Sequence, residues 1–294
     1  MSWRIVVISN SAKLDYRMGY MMVRQTEVTK IHLSEIALLM IESTAVSLTS
    51  ALLAELTKKK IKVIFCDEKR NPSSELVSFY GSHDTSAKVR LQVKWQQEIK
   101  KAVWTEIVTE KIRKQMEMLR LIGKKEEVEL LQSYIRELQP GDVTNREGHA
   151  AKVYFNALFG KDFSRTLDIP YNAALNYGYG IILSAMNREI VSNGYITQLG
   201  LFHDNMFNAF NLGSDLMEPY RILVDQKVYD MQPEKFEHEE KMELLSVLNQ
   251  EVKIDNKCNY VINAIKLYCK SVFDAINEND ISLIKFYQTW RKEV

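Results

Sequence analysis

Between Gln198 and Arg221 the chain gathers side chains able to hold a cation or carry a proton. His203 comes first, then Asn205, Asn208 and Asn211 at intervals of three, then Asp215 and Glu218. The other positions are mostly Leu, Phe, Met and other apolar residues. Polar groups interleaved with apolar ones are costly to bury without partners, and a divalent cation is one such partner. A plain structural role fits the same spacing. Ser214 is a natural N-cap, so a helix over 214–230 has Asp215 and Glu218 in its first turn, with their carboxylates on one face. Acids there are favoured by the helix dipole and by capping patterns alone, and Pro219 is tolerated that early.

A further acid, Glu147, lies in Thr144-Asn145-Arg146-Glu147-Gly148-His149-Ala150-Ala151. Thr144 with Glu147 three residues on reads as a capping box. Yet Gly148, Ala150 and Ala151 leave the following turn bare, which permits close approach of another helix or a ligand. A carboxylate beside such a surface can reach across to His203 and Glu218. His149 reads as a surface or capping histidine. Two carboxylates and one imidazole form a partial shell suited to Mg²⁺ or Mn²⁺, whereas a closed zinc site would use more cysteine or histidine.

The elements that must position these residues differ along the chain. Short apolar or alternating runs at 3–8, 20–25 and 36–41 predict strands. Residues 45–59 repeat small and apolar types at helical spacing, and 60–65 alternate like one more strand. The polar, proline-punctuated stretch 66–74 marks a boundary near 70–80, which divides the chain into 1–75 and 76–294. From about Ser86 the period is helical, with helices expected over 86–122 (broken once), 125–137, 144–159, 171–192, 204–210, 214–230, 239–250, 256–276 and 280–291. The expected class is α+β: a small N-terminal β-rich, sandwich-like domain, then a large all-α domain carrying the candidate site.

Composition sets limits. The 294 residues hold 39 Lys and Arg against 38 Asp and Glu, for a net charge of +1. That excludes a globally cationic nucleic-acid coat and an acidic disordered protein, so polyanion binding must rest on local patches. One candidate is 86–125, with eleven Lys/Arg against four Asp/Glu, which is either a solvated helix face or a surface that tracks phosphates. Trp95 and Trp104 within it, at helical spacing, read as core residues. Residues 234–257 lean the other way, seven acids to four lysines. No apolar run approaches the roughly 20 residues of a membrane helix. The start MSWRIVVISN reads as a strand rather than a signal peptide. Cys66, Cys258 and Cys269 read as reduced core thiols of a cytoplasmic protein.

The segments REGHAAKVYF and LGLFHDNMFNAFNLGSDLMEPYRILVD closely resemble the signature blocks of the CRISPR-associated integrase family Cas-one, whose members insert new spacers into CRISPR arrays. FCDEKRNPSSELVSFYG and the asparagine-rich stretch between His203 and Asp215 resemble its type II branch, and the likeness extends over essentially the whole chain. The resemblance implies metal ligands at Glu147, His203 and Glu218, with Asp215 beside the site and Arg221 matching an arginine after the acidic pair. Many relatives have Gly-Arg after the histidine where asparagines stand here, which leaves open whether Asn205, Asn208 or Asn211 contacts DNA; a proline is frequent where this chain has Ile222.

The resemblance further implies a prokaryotic endonuclease and integrase using Mg²⁺ or Mn²⁺. Its substrates would be double-stranded DNA, both the protospacer fragment and the CRISPR repeat and leader, joined by transesterification. It implies a homodimer built largely through the β domain, two such dimers flanking a small ferredoxin-like CRISPR-associated partner in a heterohexamer, and no membrane. The residues alone keep two other readings open. One is a repair-type metal-dependent nuclease with water as nucleophile. The other is a non-catalytic helical scaffold in which Glu147, Asp215 and Glu218 are caps.

Overall fold

The computed structural model describes residues 3–78 and 82–289. The chain divides into two compact units, Met1–Gly81 and Ser82–Val294. In the first unit the strands are β1 (Arg4–Ile8), β2 (Ala12–Arg17), β3 (Tyr20–Arg24), β4 (Val28–His32), β5 (Ile36–Ile41), β6 (Val46–Leu48), β7 (Lys62–Cys66) and β8 (Pro72–Glu75), with α1 (Ser50–Lys58) after β6. They form two four-stranded sheets, β1-β5-β7-β8 and β4-β3-β2-β6. Val6, Leu14, Met21, Leu39, Leu52 and Val63, drawn from both sheets and α1, share one core. The apolar runs at 3–8, 20–25, 36–41 and 60–65 are β1, β3, β5 and β7. β5 lies between parallel neighbours β1 and β7 and is buried at all six positions, so both of its faces are covered.

The other strands are pairings the sequence does not announce. β4 buries only Ile31 fully, and β6 interrupts the expected helix over 45–59 by pairing with β2 in parallel. The helix starts instead at Ser50, where the Thr49 hydroxyl accepts from the Leu52 N–H, 3.3 Å away, and caps it.

The second unit holds α2 (Thr85–Val93), α3 (Gln97–Leu121), α4 (Lys125–Arg136), α5 (Arg146–Phe159), α6 (Pro170–Ser192), α7 (Asn211–Leu216), α8 (Arg221–Met231), α9 (His238–Leu245) and α10 (Val261–Glu278). The 86–122 stretch breaks once, at 94–96, as its period suggests. Pro170 opens α6 at a position where its missing N–H costs nothing. α6 and α8 approach closely at Gly178, where a Cβ would fall 2.4 Å from Val224.

Further expectations need correction. Residues 204–210 form turns and no helix. The expected helix 214–230 is α7, a 3-10 turn at Glu218–Tyr220 and then α8, so Ser214 lies inside α7 and caps nothing. The second unit is also predominantly helical rather than all-α, because β9 (Glu251–Ile254), β10 (Lys257–Tyr260) and β11 (Gln288–Thr289) form an antiparallel sheet in the order β10-β9-β11.

The reason is local. Asp255 and Asn256 both have positive φ (52° and 58°), which suits the two-residue turn that matches strand twist. Val252 and Ile254 are buried while Glu251 is exposed. In place of the helix expected over 280–291 the chain makes a 3-10 turn at Ile281–Leu283, an irregular stretch and β11, and the last two residues of that range lie outside the described ones. Among the described residues no helix is long and apolar enough to cross a membrane.

Candidate active site

Glu147 is free of the cap its sequence suggests. The N-cap of α5 is Asn145, in the left-handed conformation, and no side-chain cap bond involves Thr144 or Glu147. Asp142 does the capping: its carboxylate accepts from the Arg146 and Glu147 N–H groups at 2.7 and 2.9 Å. The Thr144 hydroxyl is buried without a hydrogen-bond partner. The Glu147 carboxylate therefore points elsewhere, and it accepts from the Nζ of Lys111 on α3.

The same ammonium donates to Glu218. Lys111 thus joins two acids 71 positions apart in sequence, one on α5 and one in the turn between α7 and α8. Lys111 and Glu218 are nearly inaccessible, at 8% and 5% exposure of the side chain, whereas Glu147 is at 27%. Arg221 adds a second cation, its Nε 3.0 Å from Glu218 Oε1. Burial alone pushes the Glu218 carboxyl up, but Lys111 and Arg221 outweigh it and hold the group below the ordinary carboxylate range. Burial likewise opposes the charge on Lys111, and Glu218 and Glu147 overcome it, so its ammonium is held above the ordinary lysine value.

Asp215, three residues before Glu218, is built differently. It is fully buried and caps no helix. Its carboxylate accepts from the backbone N–H groups of Leu201, Phe202 and His203 at 2.6, 3.1 and 3.1 Å. It also accepts from His203 Nδ1 at 2.6 Å. A carboxylate only accepts, so Nδ1 carries the proton and the lone pair of a neutral His203 sits on Nε2. The bond to Asp215 raises the imidazole above its ordinary value, against partial burial. Gly200 permits the clamp: a Cβ there would lie 2.3 Å from the His203 carbonyl oxygen and 2.7 Å from Asp215 Oδ2. Below the loop, Trp104 stacks on Phe202, rings 4.6 Å apart and 3° from parallel, and meets His203 edge-on. Trp104 is thus core, as its spacing suggests, and so is Trp95.

The asparagines brace this loop. Asn205 and Asn208 accept from the N–H groups of Phe207 and Phe210. The Asn211 amide donates to the carbonyls of Gln198 and Asn205, and its oxygen accepts from the Asn205 N–H. Asn208 donates to Ser214 at 3.2 Å. Their partners are protein atoms, which answers the burial problem the sequence poses. His149 is exposed, beside the Tyr134 ring.

Glu147 and Glu218 therefore meet on one nitrogen, His203 is locked to Asp215, and the His203 imidazole feels the Glu218 charge. Among the described residues no three His, Cys, Asp or Glu side chains stand close enough to close around an ion. The chemistry of the donor set nonetheless fits a divalent cation. Two carboxylates already converge on one cation, and an imidazole that feels the Glu218 charge keeps Nε2 for a ligand while a carboxylate fixes its other nitrogen.

Lys111 and Asp142 escaped the sequence reading, in which Lys111 belongs to a basic stretch taken as exposed. The signal was its place among Ile107, Val108 and Ile112, all buried on α3: a cation among apolar neighbours. Lys114 is buried too, against Glu110 and Glu117, so part of the basic surplus over 86–125 is consumed inside the fold.

Residues 5–252 match the family model described as CRISPR associated protein Cas1. The chain belongs to the Cas1 family. A CRISPR-associated endonuclease Cas1 of Neisseria meningitidis serogroup C (strain 8013) is 30% identical over 291 residues, covering 97% of this chain and 96% of that protein. A casposase structure, solved bound to integration product, superposes with a TM-score of 0.76 at 16% identity, over all of this chain and 96% of the other. A chain of a Cas6-RT-Cas1–Cas2 complex superposes with a TM-score of 0.74 at 19% identity, over 99% of this chain and 36% of that longer one. These two share the fold. The membership joins the chain to CRISPR-associated endonucleases, and the acids and histidine described above lie within the matched span.

Proposed function

We propose that this Cas1-family chain is a metal-dependent DNA endonuclease and integrase of CRISPR spacer acquisition, with Glu147, His203 and Glu218 as metal ligands and Asp215 orienting His203. The observation that carries it is the convergence of Glu147 and Glu218 on one buried cation, Lys111, with the His203 imidazole within reach of the Glu218 charge and its Nε2 left to bind. A Mg²⁺ or Mn²⁺ ion held there would neutralise charge on a phosphodiester and stabilise the leaving oxygen. Asp215 keeps the Nδ1 proton in place, so the imidazole offers Nε2 whenever it is neutral. Arg221 and Lys111 surround the acids with positive charge, which suits an anionic substrate.

In the reaction, the 3′-hydroxyl of a captured DNA fragment forms a new P–O bond at a phosphate of the CRISPR repeat. The repeat's own 3′-oxygen leaves with the proton, so one phosphodiester replaces another. Exposed cations in 86–125, among them Arg90, Lys94, Lys101 and Arg113, supply phosphate contacts of the kind that position a duplex. The proposed assembly is a homodimer formed through the β unit, two of them flanking a small ferredoxin-like partner, in line with the Cas1–Cas2 complex among the structural relatives. Its setting is the prokaryotic cytoplasm.

The test is Glu147→Ala, assayed with a 3′-hydroxyl DNA fragment and a supercoiled repeat-bearing plasmid in Mg²⁺ or Mn²⁺. Strand joining is expected to fall on the order of a thousandfold or more, the scale of several kcal/mol of metal assistance, with DNA affinity nearly unchanged. Joining at the wild-type rate refutes the assignment. Cleavage without any joining, in the wild type, favours the repair-type nuclease.

A further inference from the structure

Lys111 stands where two of the proposed ligands meet. A buried ammonium is costly unless it is paired, and so are two buried or half-buried carboxylates facing one another. In this site each problem is the other's solution. Lys111 and Arg221 balance Glu147 and Glu218 charge for charge, and the Lys111 ammonium bonds to both acids. A divalent ion entering the balanced cluster creates a surplus of positive charge and finds one oxygen of Glu147 and both oxygens of Glu218 already engaged.

On the reading that Glu147 and Glu218 are metal ligands, we infer that Lys111 is the site's resident counter-cation. It holds the two acids together before metal binds and must release both when metal arrives, so it sets how tightly the site takes Mg²⁺ or Mn²⁺. Lys111 is thereby a positioning residue: it keeps the ligands converged in the metal-free protein and exacts a cost in metal affinity. A lysine suits such exchange, being a single point charge on a flexible stem. An arginine would grip two carboxylates in a fixed fork.

Calorimetric titration of the full chain with Mn²⁺ tests this in wild type, Lys111→Met and Lys111→Arg. Lys111→Met is expected to bind Mn²⁺ at least tenfold more tightly. It should also melt at a lower temperature than wild type in chelator, with a larger rise on adding Mn²⁺. Lys111→Arg is expected to bind Mn²⁺ more weakly than wild type.

If Lys111→Met does not fold in chelator, refolding against increasing Mn²⁺ replaces the titration. Recovery of the fold by Mn²⁺ supports the inference, and no recovery at any concentration overturns it. Affinity unchanged or reduced in Lys111→Met, with wild-type binding that depends on Glu147, overturns the role of Lys111 and leaves the metal site standing. No Mn²⁺ binding by any of the proteins, together with wild-type joining by Glu147→Ala, overturns both.

Discussion

Asp215 and Glu218 are three residues apart and both buried, yet their surroundings have little in common. Asp215 is satisfied by three backbone N–H groups and a histidine, all within 15 residues of itself. Glu218 is satisfied by two cationic side chains, one of them 107 positions away. Backbone donors are fixed by the fold and cannot leave without unfolding the loop. Side-chain cations can move aside. The first environment builds structure and the second leaves an acid available for exchange, so the contrast sorts a supporting group from a ligand where sequence spacing treats the two alike.

The sharpest way to break that contrast is Asp215→Ala. It orphans the N–H groups of Leu201, Phe202 and His203 and frees the imidazole. A buried hydrogen-bonded network losing its charged acceptor is expected to cost about 3–5 kcal/mol. Denaturant unfolding measures it, with Glu147→Ala as the reference, expected within about 1 kcal/mol of wild type because its carboxylate is partly exposed and bonds only to a side chain. Equal losses in the two variants would erase the distinction between fixed and exchangeable partners.

How much of this was legible beforehand follows the same line. The four apolar strands and the long helices stand out because their periodicity is written in side chains. β2, β4, β6 and β8 do not, since their pairing is backbone bonding to strands already present. Of the three strands after residue 250, β10 and β11 lie within expected helices and β9 in the gap between two, because EVKI and KCNY are short and flank long helical runs, with only Asp255-Asn256 to signal a turn. Glu147, His203, Asp215 and Glu218 stand out by type and by resemblance, but the capping patterns around them mislead: Asp142 caps where Thr144 is expected to, and Ser214 lies within a helix. Capping patterns record which local bond is possible, whereas the fold chooses among competitors. Lys111 was hidden because a lysine in a basic stretch looks exposed until its neighbours are examined.

A second comparison lies behind Arg221. Its guanidinium sits 4.7 Å over the Tyr179 ring, and the Tyr179 hydroxyl donates to Asp225. Burial pushes the Asp225 carboxyl up to about 6, against the opposing pull of Tyr179, Arg221, Lys111 and Tyr154. Unlike Glu218, whose cations hold it ionised, Asp225 keeps its proton into the mildly acidic range. Its folded value lies above its ordinary 3.8, so its contribution is fully present below about pH 4 and is lost as pH rises through about 6. A shift of about two units corresponds to about 3 kcal/mol at most. Unfolding free energies at pH 4 and pH 7.5 are expected to show wild type losing up to that much more than Asp225→Asn as pH rises. Parallel profiles would mean that Arg221 holds Asp225 ionised, as Lys111 and Arg221 hold Glu218.

The smallest effect tests the asparagines, whose place in the loop competes with a role in DNA contact. Asn208 accepts from the Phe210 N–H at 2.9 Å and donates to Ser214, so Asn208→Ala removes two bonds at a partly exposed site and is expected to cost about 1 kcal/mol. Asn208→Asp keeps the acceptor for Phe210 and should retain most of that stability, although it adds a negative charge three positions before the α7 start. A residue kept only for DNA would behave in the opposite way: alanine would leave the melting temperature unchanged, and aspartate would weaken DNA binding through charge alone. Thermal unfolding of the two variants, set beside their DNA affinities, therefore separates a brace from a contact. A cost confined to DNA affinity in both variants would move Asn208 from the Asp215 side of the comparison to the exchangeable side, with Glu218.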